Sequence, residues 1–314
     1  MLLIKAKGGL GNRMLSTASA IAYAEATKRD WCIDWRDGVY APVGTNAVNH
    51  LFQTSKRDCV DQIISTESVN PTVWASQIEL SVDAVISASF PTKHSSQLIY
   101  RKLSAPITAA PSKDAVEVFW SYTSKFGRIK RFLTTEQQKL GRDKVLAKVL
   151  NCYLSPSPRI MSAVDTFVCA DDNRTLGVHI RFTDLKVPID KIISTVAIEL
   201  KKFKYKSIFL ATDSLYAEEL FQQNFPNVIT QNRRYCESNS RLHLSTEYPE
   251  KLKDADIALV DMYALSRCSG LVYCSRSTFS ETSRILGQFE RERVVDVDRY
   301  NLFIQVKKLL REYV

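Results

Sequence analysis

The stretch Gly177-Val-His-Ile-Arg-Phe-Thr-Asp-Leu-Lys186 decides the fold. It continues an apolar run from Thr175 and ends in a polar loop, which is the pattern of a buried strand followed by a turn. In open α/β sheets, ligands bind beyond the carboxyl ends of the strands, so we expect Arg181 to face an anion there. A guanidinium is always charged, and its planar fork fits two phosphate oxygens. The alternative is a structural arginine that forms a salt bridge at the strand end.

Strands and helices alternate regularly after this stretch. The predicted elements are, in order, a helix over 193–203, a strand over 207–211, a helix that ends at Phe225, a short strand over 227–229, a helix over 254–267 and a strand over 271–274. The first of these strands ends in Thr212-Asp-Ser, and the last leads into Ser277-Thr-Phe-Ser, which opens another helix. Alternation of this kind predicts a doubly wound parallel sheet and an α/β fold.

The chain also opens with a β-α-β pattern. Residues 2–7 are predicted to form a strand, Gly8-Gly-Leu-Gly-Asn a glycine-rich turn into a helix, and residues 31–35 a second strand. Glycines at a strand-to-helix turn let backbone amides face an anion. The turn lacks the third glycine of a dinucleotide fingerprint and the Lys-Ser/Thr of a P-loop, so it does not by itself identify a ligand.

A length of 314 residues suits two domains. Thr134-x-x-Gln137 is a capping box that predicts a helix through Leu150, and Ser157-Pro158 is typical of the start of the next helix. We therefore predict an N-terminal domain over 1–155 and a C-terminal domain over 156–298. Residues 299–314 are predicted to form an amphipathic helix, whose apolar residues are Leu302, Phe303, Val306, Leu309, Leu310 and Tyr313.

The net charge of +9 indicates anionic partners, but no block of Lys and Arg resembles a nucleic-acid-binding tail. The richest basic cluster, residues 201–206, is interpreted as the solvated end of a helix; contact with RNA or lipid headgroups is the alternative. We expect no nucleic-acid partner.

Seven scattered cysteines without a Cys-x-x-Cys pair argue against a disulfide framework and against a zinc site. They favour a reducing, cytoplasmic location. No apolar stretch approaches the roughly 20 residues that a membrane-spanning helix needs. Peripheral contact with the inner membrane stays open as an alternative.

Four motifs in a fixed order carry a resemblance to a known family. Gly8-Gly-Leu-Gly-Asn, His179-Ile-Arg, Ala211-Thr-Asp-Ser and Ser277-Thr-Phe-Ser together resemble the superfamily of α1,2- and α1,6-fucosyltransferases. Further segments resemble its nodulation branch: Ala18-Ser-Ala, Ile33-Asp-Trp-Arg and Ala258-Leu-Val-Asp-Met-Tyr-Ala-Leu-Ser-Arg-Cys.

The resemblance implies a GT-B architecture, with two Rossmann-like domains facing a cleft and the C-terminal helix packing back. It implies inverting transfer of fucose from GDP-fucose to a hydroxyl group of a glycan acceptor, without a metal or another cofactor. Departure of GDP builds negative charge on the β-phosphate, and Arg181 would stabilise that charge. The alternatives are a GT-B transferase with another nucleotide sugar and an inactive module that binds nucleotides or glycans.

The same resemblance assigns residues to the donor. Ser277 and Thr278, followed by Phe279, would offer hydroxyls and helix-terminal amides to the diphosphate. Asp261 would accept two parallel hydrogen bonds from the ring N–H and the amino group of guanine. His179 would lie beside the base and act mainly through its backbone. A simple helix cap at Ser277 and a core histidine at 179 are the structural alternatives.

Gly9, Gly11 and Asn12 would border the pyrophosphate from the N-terminal domain. Asp213 would position Arg181 or sugar hydroxyls, unless it only forms a turn.

An inverting transfer also needs a base that deprotonates the acceptor. Asp190 is the candidate, because the α1,6 branch carries an acid near that place, and Asp184 is an alternative closer to the strand that we also assign to the donor. Phe182 is a departure, since the α1,2 and α1,6 enzymes carry a second arginine there. Arg13 or Arg276 is expected to compensate.

Overall fold

A computed structural model describes residues 1–53, 68–90, 101–168, 174–182, 187–233, 235 and 250–313. The chain divides into two compact units. Unit 1 consists of Met1–Ser155 and Leu309–Val314, and unit 2 consists of Pro156–Lys308.

A parallel sheet forms the centre of unit 1. Its strands are β1 (Leu2–Lys5), β2 (Trp31–Asp34), β4 (Val69–Asn70) and β5 (Val116–Trp120), in the order β2-β1-β5-β4. Leu3 lies opposite Cys32 on one side and Val118 on the other. Helix α1 (Leu10–Ala26) connects β1 to β2 and is buried from Leu10 to Ala24, because its many Ala and Ser side chains allow close packing. The predicted first β-α-β unit is thus present.

The remaining elements of unit 1 are shorter. They are the helices α2 (Ala47–Leu51), α3 (Val82–Ser89), α4 (Phe126–Ile129), α5 (Thr135–Leu140) and α6 (Arg142–Tyr153), the 3₁₀ turns Thr72–Trp74 and Lys130–Phe132, and the strand β3 (Phe52–Gln53). Thr134 and Gln137 form the predicted capping box. The prediction of one helix through Leu150 is wrong, because Gly141 has a φ of 81° and ends α5.

Unit 2 contains a second parallel sheet, in the order β11-β10-β7-β8-β9. Its strands are β7 (Thr175–Ile180), β8 (Ser207–Thr212), β9 (Val228–Ile229), β10 (Gly270–Tyr273) and β11 (Val294–Asp296). The short strand β6 (Ser155–Pro156) precedes it. The apolar run that ends just before Arg181 is therefore the central strand, β7, which is buried along its whole length.

The helices of unit 2 alternate with these strands. They are α7 (Pro158–Asp165), α8 (Ile189–Phe203), α9 (Leu215–Asn224), α10 (Lys251–Arg267) and α11 (Thr278–Gly287), followed by α12 (Leu302–Tyr313) and the 3₁₀ turn Arg291–Arg293. Ile192 and Val196 of α8 and Phe221 of α9 pack against Val178 of β7 in one core cluster. The predicted α/β architecture with parallel sheets is confirmed.

The end of α12, from Leu309 onward, belongs to unit 1 and packs within it. Arg142 forms an ion pair with Glu312, and the Nζ atom of Lys125 donates to the Arg311 carbonyl oxygen at 3.0 Å. Tyr313 lies against Gly127, where an added Cβ would meet its ring at 2.7 Å. These contacts fix the last turn of the helix.

Candidate functional site

The carboxyl ends of three neighbouring strands define one edge of the unit 2 sheet. Arg181 follows β7 directly, Asp213 follows β8, and Ser277 lies just beyond β10. Because β10, β7 and β8 are adjacent and parallel, the structure brings these three predicted residues to the same edge. Arg181 and Phe182 are half-buried there.

Asp213 fixes the turn that carries Arg181. Its Oδ1 atom accepts a hydrogen bond of 2.7 Å from the backbone N–H of Phe182. The carboxylate therefore holds the peptide immediately after Arg181, where the chain leaves the strand. Through this backbone contact, Asp213 could position Arg181 as the sequence predicts.

The start of α11 presents backbone amides at the same edge. Ser277 is the buried N-cap residue, and its backbone N–H donates to the Cys274 carbonyl oxygen at 3.0 Å. The structural alternative, a hydroxyl cap, is wrong: within the described residues, the Ser277 side chain accepts no hydrogen bond from the first turn. Thr278 and Phe279 are half-buried in that turn. The N-terminus of α11 is thus suited to an anion.

His179 and Phe279 stack on each other. Their ring centroids are 5.0 Å apart, with 23° between the ring planes. His179 is buried in β7, and its Nδ1 atom is without a hydrogen-bond partner in the described part of the chain. Two residues predicted to bind the donor are thus in contact through their rings.

Burial, together with the nearby guanidinium charges of Arg181 and Arg233, lowers the pKa of His179 to about 3. The imidazole is therefore neutral at physiological pH. A neutral ring adds no charge of its own beside Arg181.

This shift predicts a pH dependence of stability. As the pH falls from about 6.5 towards 3, the unfolded chain takes up a proton that the buried His179 does not, so the free energy of unfolding decreases by up to about 1.4 kcal/mol per pH unit. In urea titrations at several pH values, the variant His179→Gln should show a shallower decrease than the wild type. His50→Gln, in unit 1, is the control. An equal decrease in wild type and His179→Gln would contradict the assignment.

Asp261 lies in a buried ion pair with Arg233. The Nη1 atom of Arg233 is 2.6 Å from Oδ2 of Asp261, and its Nη2 atom donates to Oδ1 at 2.8 Å. Nη1 also donates to the carbonyl oxygen of Thr212, the last residue of β8, at 2.9 Å. Burial raises the pKa of Asp261, and the Arg233 charge opposes this effect. The contact with Arg233 therefore favours the charged form of the carboxylate against the effect of burial.

The segment that carries Arg233 is anchored on both sides. Glu218 of α9 accepts hydrogen bonds from the hydroxyl of Thr230, at 3.0 Å, and from that of Tyr235. The sequence patterns did not assign Arg233 to the site. Its only signal was an arginine shortly after the predicted strand around 227–229.

Other predicted residues have different surroundings. Asp190 lies exposed in the first turn of α8, and Asp184 is outside the described residues. Phe182 packs against Tyr216 with 5.7 Å between ring centroids. Arg276 is held by both oxygens of Asp298.

The expectation that Arg13 compensates for Phe182 is wrong. Its side chain is fully buried, forms an ion pair with Asp37 and donates to the Gly8 carbonyl oxygen at 2.7 Å. It also lies over the rings of Trp35 and Tyr40. Because none of its atoms is accessible, this guanidinium is part of the core of unit 1 and is not available to a ligand.

The glycine-rich turn of unit 1 has the predicted form. Gly8 has a φ of 83°, and an added Cβ would meet the Tyr122 ring at 2.9 Å. Gly9 is the N-cap residue of α1, while Gly11 and Asn12 lie in its first turn. The Oδ1 atom of Asn12 is buried and has no hydrogen-bond partner among the described residues.

Two further features of the described residues concern metals and membranes. Over these ranges, no group of three or more His, Cys, Asp or Glu side chains is arranged to hold a metal ion. None of the helices built from them has the length and apolar character to span a membrane.

The sequence is similar to that of known proteins. Residues 161–308 match the model of the family described as Nodulation protein Z (NodZ). Nodulation protein Z of Azorhizobium caulinodans is 23% identical over an alignment of 330 positions, which covers 95% of this chain and 91% of the relative.

Solved structures agree with this match. NodZ α1,6-fucosyltransferase soaked with GDP-fucose has a TM-score of 0.64 at 19% identity, with 96% of each chain covered. Fucosyltransferase NodZ from Bradyrhizobium has a TM-score of 0.62 at 19% identity, with 95% of this chain and 96% of that chain covered. These likenesses confirm the expected GT-B fold class. In sequence over residues 161–308, and in fold over nearly its whole length, the protein is similar to the NodZ fucosyltransferases, as its motifs indicate.

Proposed function

We propose that the protein is an inverting glycosyltransferase that moves fucose from GDP-fucose to a hydroxyl group of a glycan acceptor. The observation that carries the proposal is the edge of the unit 2 sheet, where Arg181 and the open start of α11 come together. A protein of similar fold, NodZ, has been soaked with GDP-fucose, which supports this donor.

Two positively polarised groups at this edge suit a diphosphate. Arg181 supplies a permanent charge with a planar fork, and the α11 N-terminus supplies backbone N–H groups and the positive end of the helix dipole. As the bond to fucose breaks, negative charge grows on the β-phosphate of GDP. In the proposal these groups stabilise that charge, so the transfer requires no divalent ion.

The Asp261–Arg233 pair suits recognition of guanine. A carboxylate matches the ring N–H and the amino group of guanine, and adenine lacks this pair of donors. Each carboxylate oxygen has two acceptor positions, so Oδ2 of Asp261 keeps acceptor capacity beside Arg233, while the Gln231 amide donates to Oδ1 at 3.1 Å. The stack of His179 on Phe279 is a second element of the same site.

For the acceptor side, we propose Asp190 as the base. Its exposed place in the first turn of α8 leaves it accessible to an acceptor hydroxyl. The roles of Gly9, Gly11, Asn12 and Asp184 stay predictions. The free cysteines among the described residues, Cys32, Cys152, Cys268 and Cys274, support a cytoplasmic location as part of the proposal.

Calorimetry with GDP, ADP and UDP tests the donor. We expect GDP to bind at least about tenfold more tightly than ADP or UDP, a difference of about 1.4 kcal/mol, with the same affinity in EDTA. Equal affinities, or binding that requires Mg²⁺, would contradict the proposal.

Transfer is tested separately, with labelled GDP-fucose on a glycan array. We expect label on at least one acceptor. Tight GDP binding without transfer to any glycan would indicate an inactive binding module, and transfer from another nucleotide sugar would indicate a different donor.

A further inference from the structure

Helix α12 turns its apolar side outward. Six large apolar side chains on it are more than half exposed: Leu302 78%, Phe303 74%, Val306 54%, Leu309 62%, Leu310 55% and Tyr313 53%. At 3.6 residues per turn, they fall within an arc of about 120° on one side of the helix. We call these six residues the apolar stripe.

The opposite side of α12 faces the protein and is mostly polar. In unit 2, Gln305 donates to the Asp298 carbonyl oxygen at 3.2 Å, and Lys308 donates to Glu281, which is buried, at 2.9 Å. In unit 1, Glu312 pairs with Arg142.

A surface helix normally buries its apolar side and exposes its polar side. Helix α12 does the reverse, because hydrogen bonds and ion pairs hold its polar side. Apart from Tyr313, which lies against Gly127, the apolar stripe is therefore not what fixes the helix on the protein. A contiguous apolar surface of this kind marks an interaction site.

The surroundings of the apolar stripe are aromatic and basic. Tyr300, 82% exposed, precedes the helix beside Arg299, and Lys307 lies at the edge of the stripe, over the Phe303 ring. The whole chain carries a net charge of +9. Leu and Phe on one side with basic and aromatic residues at the border are typical of a helix that lies in a membrane interface.

We propose that the apolar stripe is a docking surface for an anionic lipid membrane, on which α12 lies flat. A helix of 12 residues, about 18 Å long, is too short to span a bilayer. The apolar side chains enter the boundary between headgroups and acyl chains, while Arg299 and Lys307 meet lipid phosphates. The positive net charge adds a general attraction to such a surface.

A second copy of this chain is a less favourable partner for the apolar stripe than a membrane. Two copies, each with a net charge of +9, repel one another. A single short helix is also small against the standard interface of about 800 Å² per partner.

Vesicle flotation of the full chain tests the proposal. The probes are vesicles of phosphatidylcholine alone and of equimolar phosphatidylcholine and phosphatidylglycerol. We expect the wild type to float with the anionic vesicles, to float less at high salt, and to bind phosphatidylcholine alone weakly. The double variant Leu302→Glu/Leu309→Glu should lose at least about tenfold in partition, because it places two charges in the apolar stripe.

One control matches this variant, and a second pair of variants tests the basic border. Leu140→Glu/Ile198→Glu adds the same charges at exposed apolar positions elsewhere and should float as the wild type does. Lys307→Gln should lose about fivefold in partition, and Lys201→Gln, at an exposed lysine of α8, should lose much less. Circular dichroism melting checks that each variant is folded.

Three results would overturn the proposal. They are a wild type that stays in the soluble fraction with both vesicles, a stripe variant that floats as well as the wild type, and equal binding to both lipid compositions. A dimer that the stripe substitutions dissociate in sedimentation velocity would assign the surface to a second copy instead.

Discussion

Replacement of Arg181 by alanine is expected to lower kcat for fucose transfer by about a hundredfold to a thousandfold, or about 3 to 4 kcal/mol. The reason is that Arg181 follows the central strand at the sheet edge where α11 also begins, so in the proposed function both stabilise the departing GDP. An interaction that strengthens with the developing charge affects kcat more than KM. Steady-state kinetics with labelled GDP-fucose measures both parameters.

The conservative variant Arg181→Lys separates charge from geometry. Lysine keeps the positive charge but lacks the planar fork, so we expect activity between those of Arg181→Ala and the wild type. Arg291→Ala removes an exposed arginine of unit 2 and should leave kcat unchanged. Wild-type turnover by Arg181→Ala would refute the role. A loss of more than about 2 kcal/mol in the free energy of unfolding would instead favour the structural arginine.

The largest effect on stability is expected from Arg233→Met. The substitution leaves the Asp261 carboxylate buried without its partner, which should cost about 3 kcal/mol of the free energy of unfolding. The double variant Arg233→Met/Asp261→Asn should recover most of that loss, because neither charge remains. Urea unfolding of the two single variants and the double variant gives the coupling energy. A single variant as stable as the wild type would contradict a coupled buried pair.

The matched control is an exposed ion pair. Lys253 and Glu250 lie on the surface of unit 2, and Lys253→Met should cost no more than about 0.5 kcal/mol.

The same variants report on guanine recognition. Without Arg233, the effect of burial dominates and the pKa of Asp261 rises further. The protonated carboxyl accepts fewer hydrogen bonds, so GDP binding by Arg233→Met should weaken and recover as the pH increases. Asp261→Asn should lose the preference for GDP over ADP at every pH, because an amide cannot accept from both donors. Calorimetry over a pH series distinguishes the two outcomes.

Local patterns in the sequence were sufficient to predict the strands and the sheet on which the candidate site lies. An apolar run that ends in Arg181 predicted the central strand, and the alternation after it predicted the parallel sheet. The capping box at Thr134 and Gln137 was also correct. The same pattern did not show that α5 stops at Gly141, because a glycine is compatible with either a continuing or a terminated helix.

The sequence by itself determined which strands are followed by candidate site residues, because strand periodicity and turn residues depend on neighbours along the chain. Only the tertiary structure decided which charges meet. Arg233 pairs with Asp261, 28 residues away, and Arg13 is buried against Asp37. It also decided that α12 turns its apolar side outward, since an amphipathic pattern does not specify which side packs. These outcomes depend on how helices and sheets pack, and no local pattern encodes that.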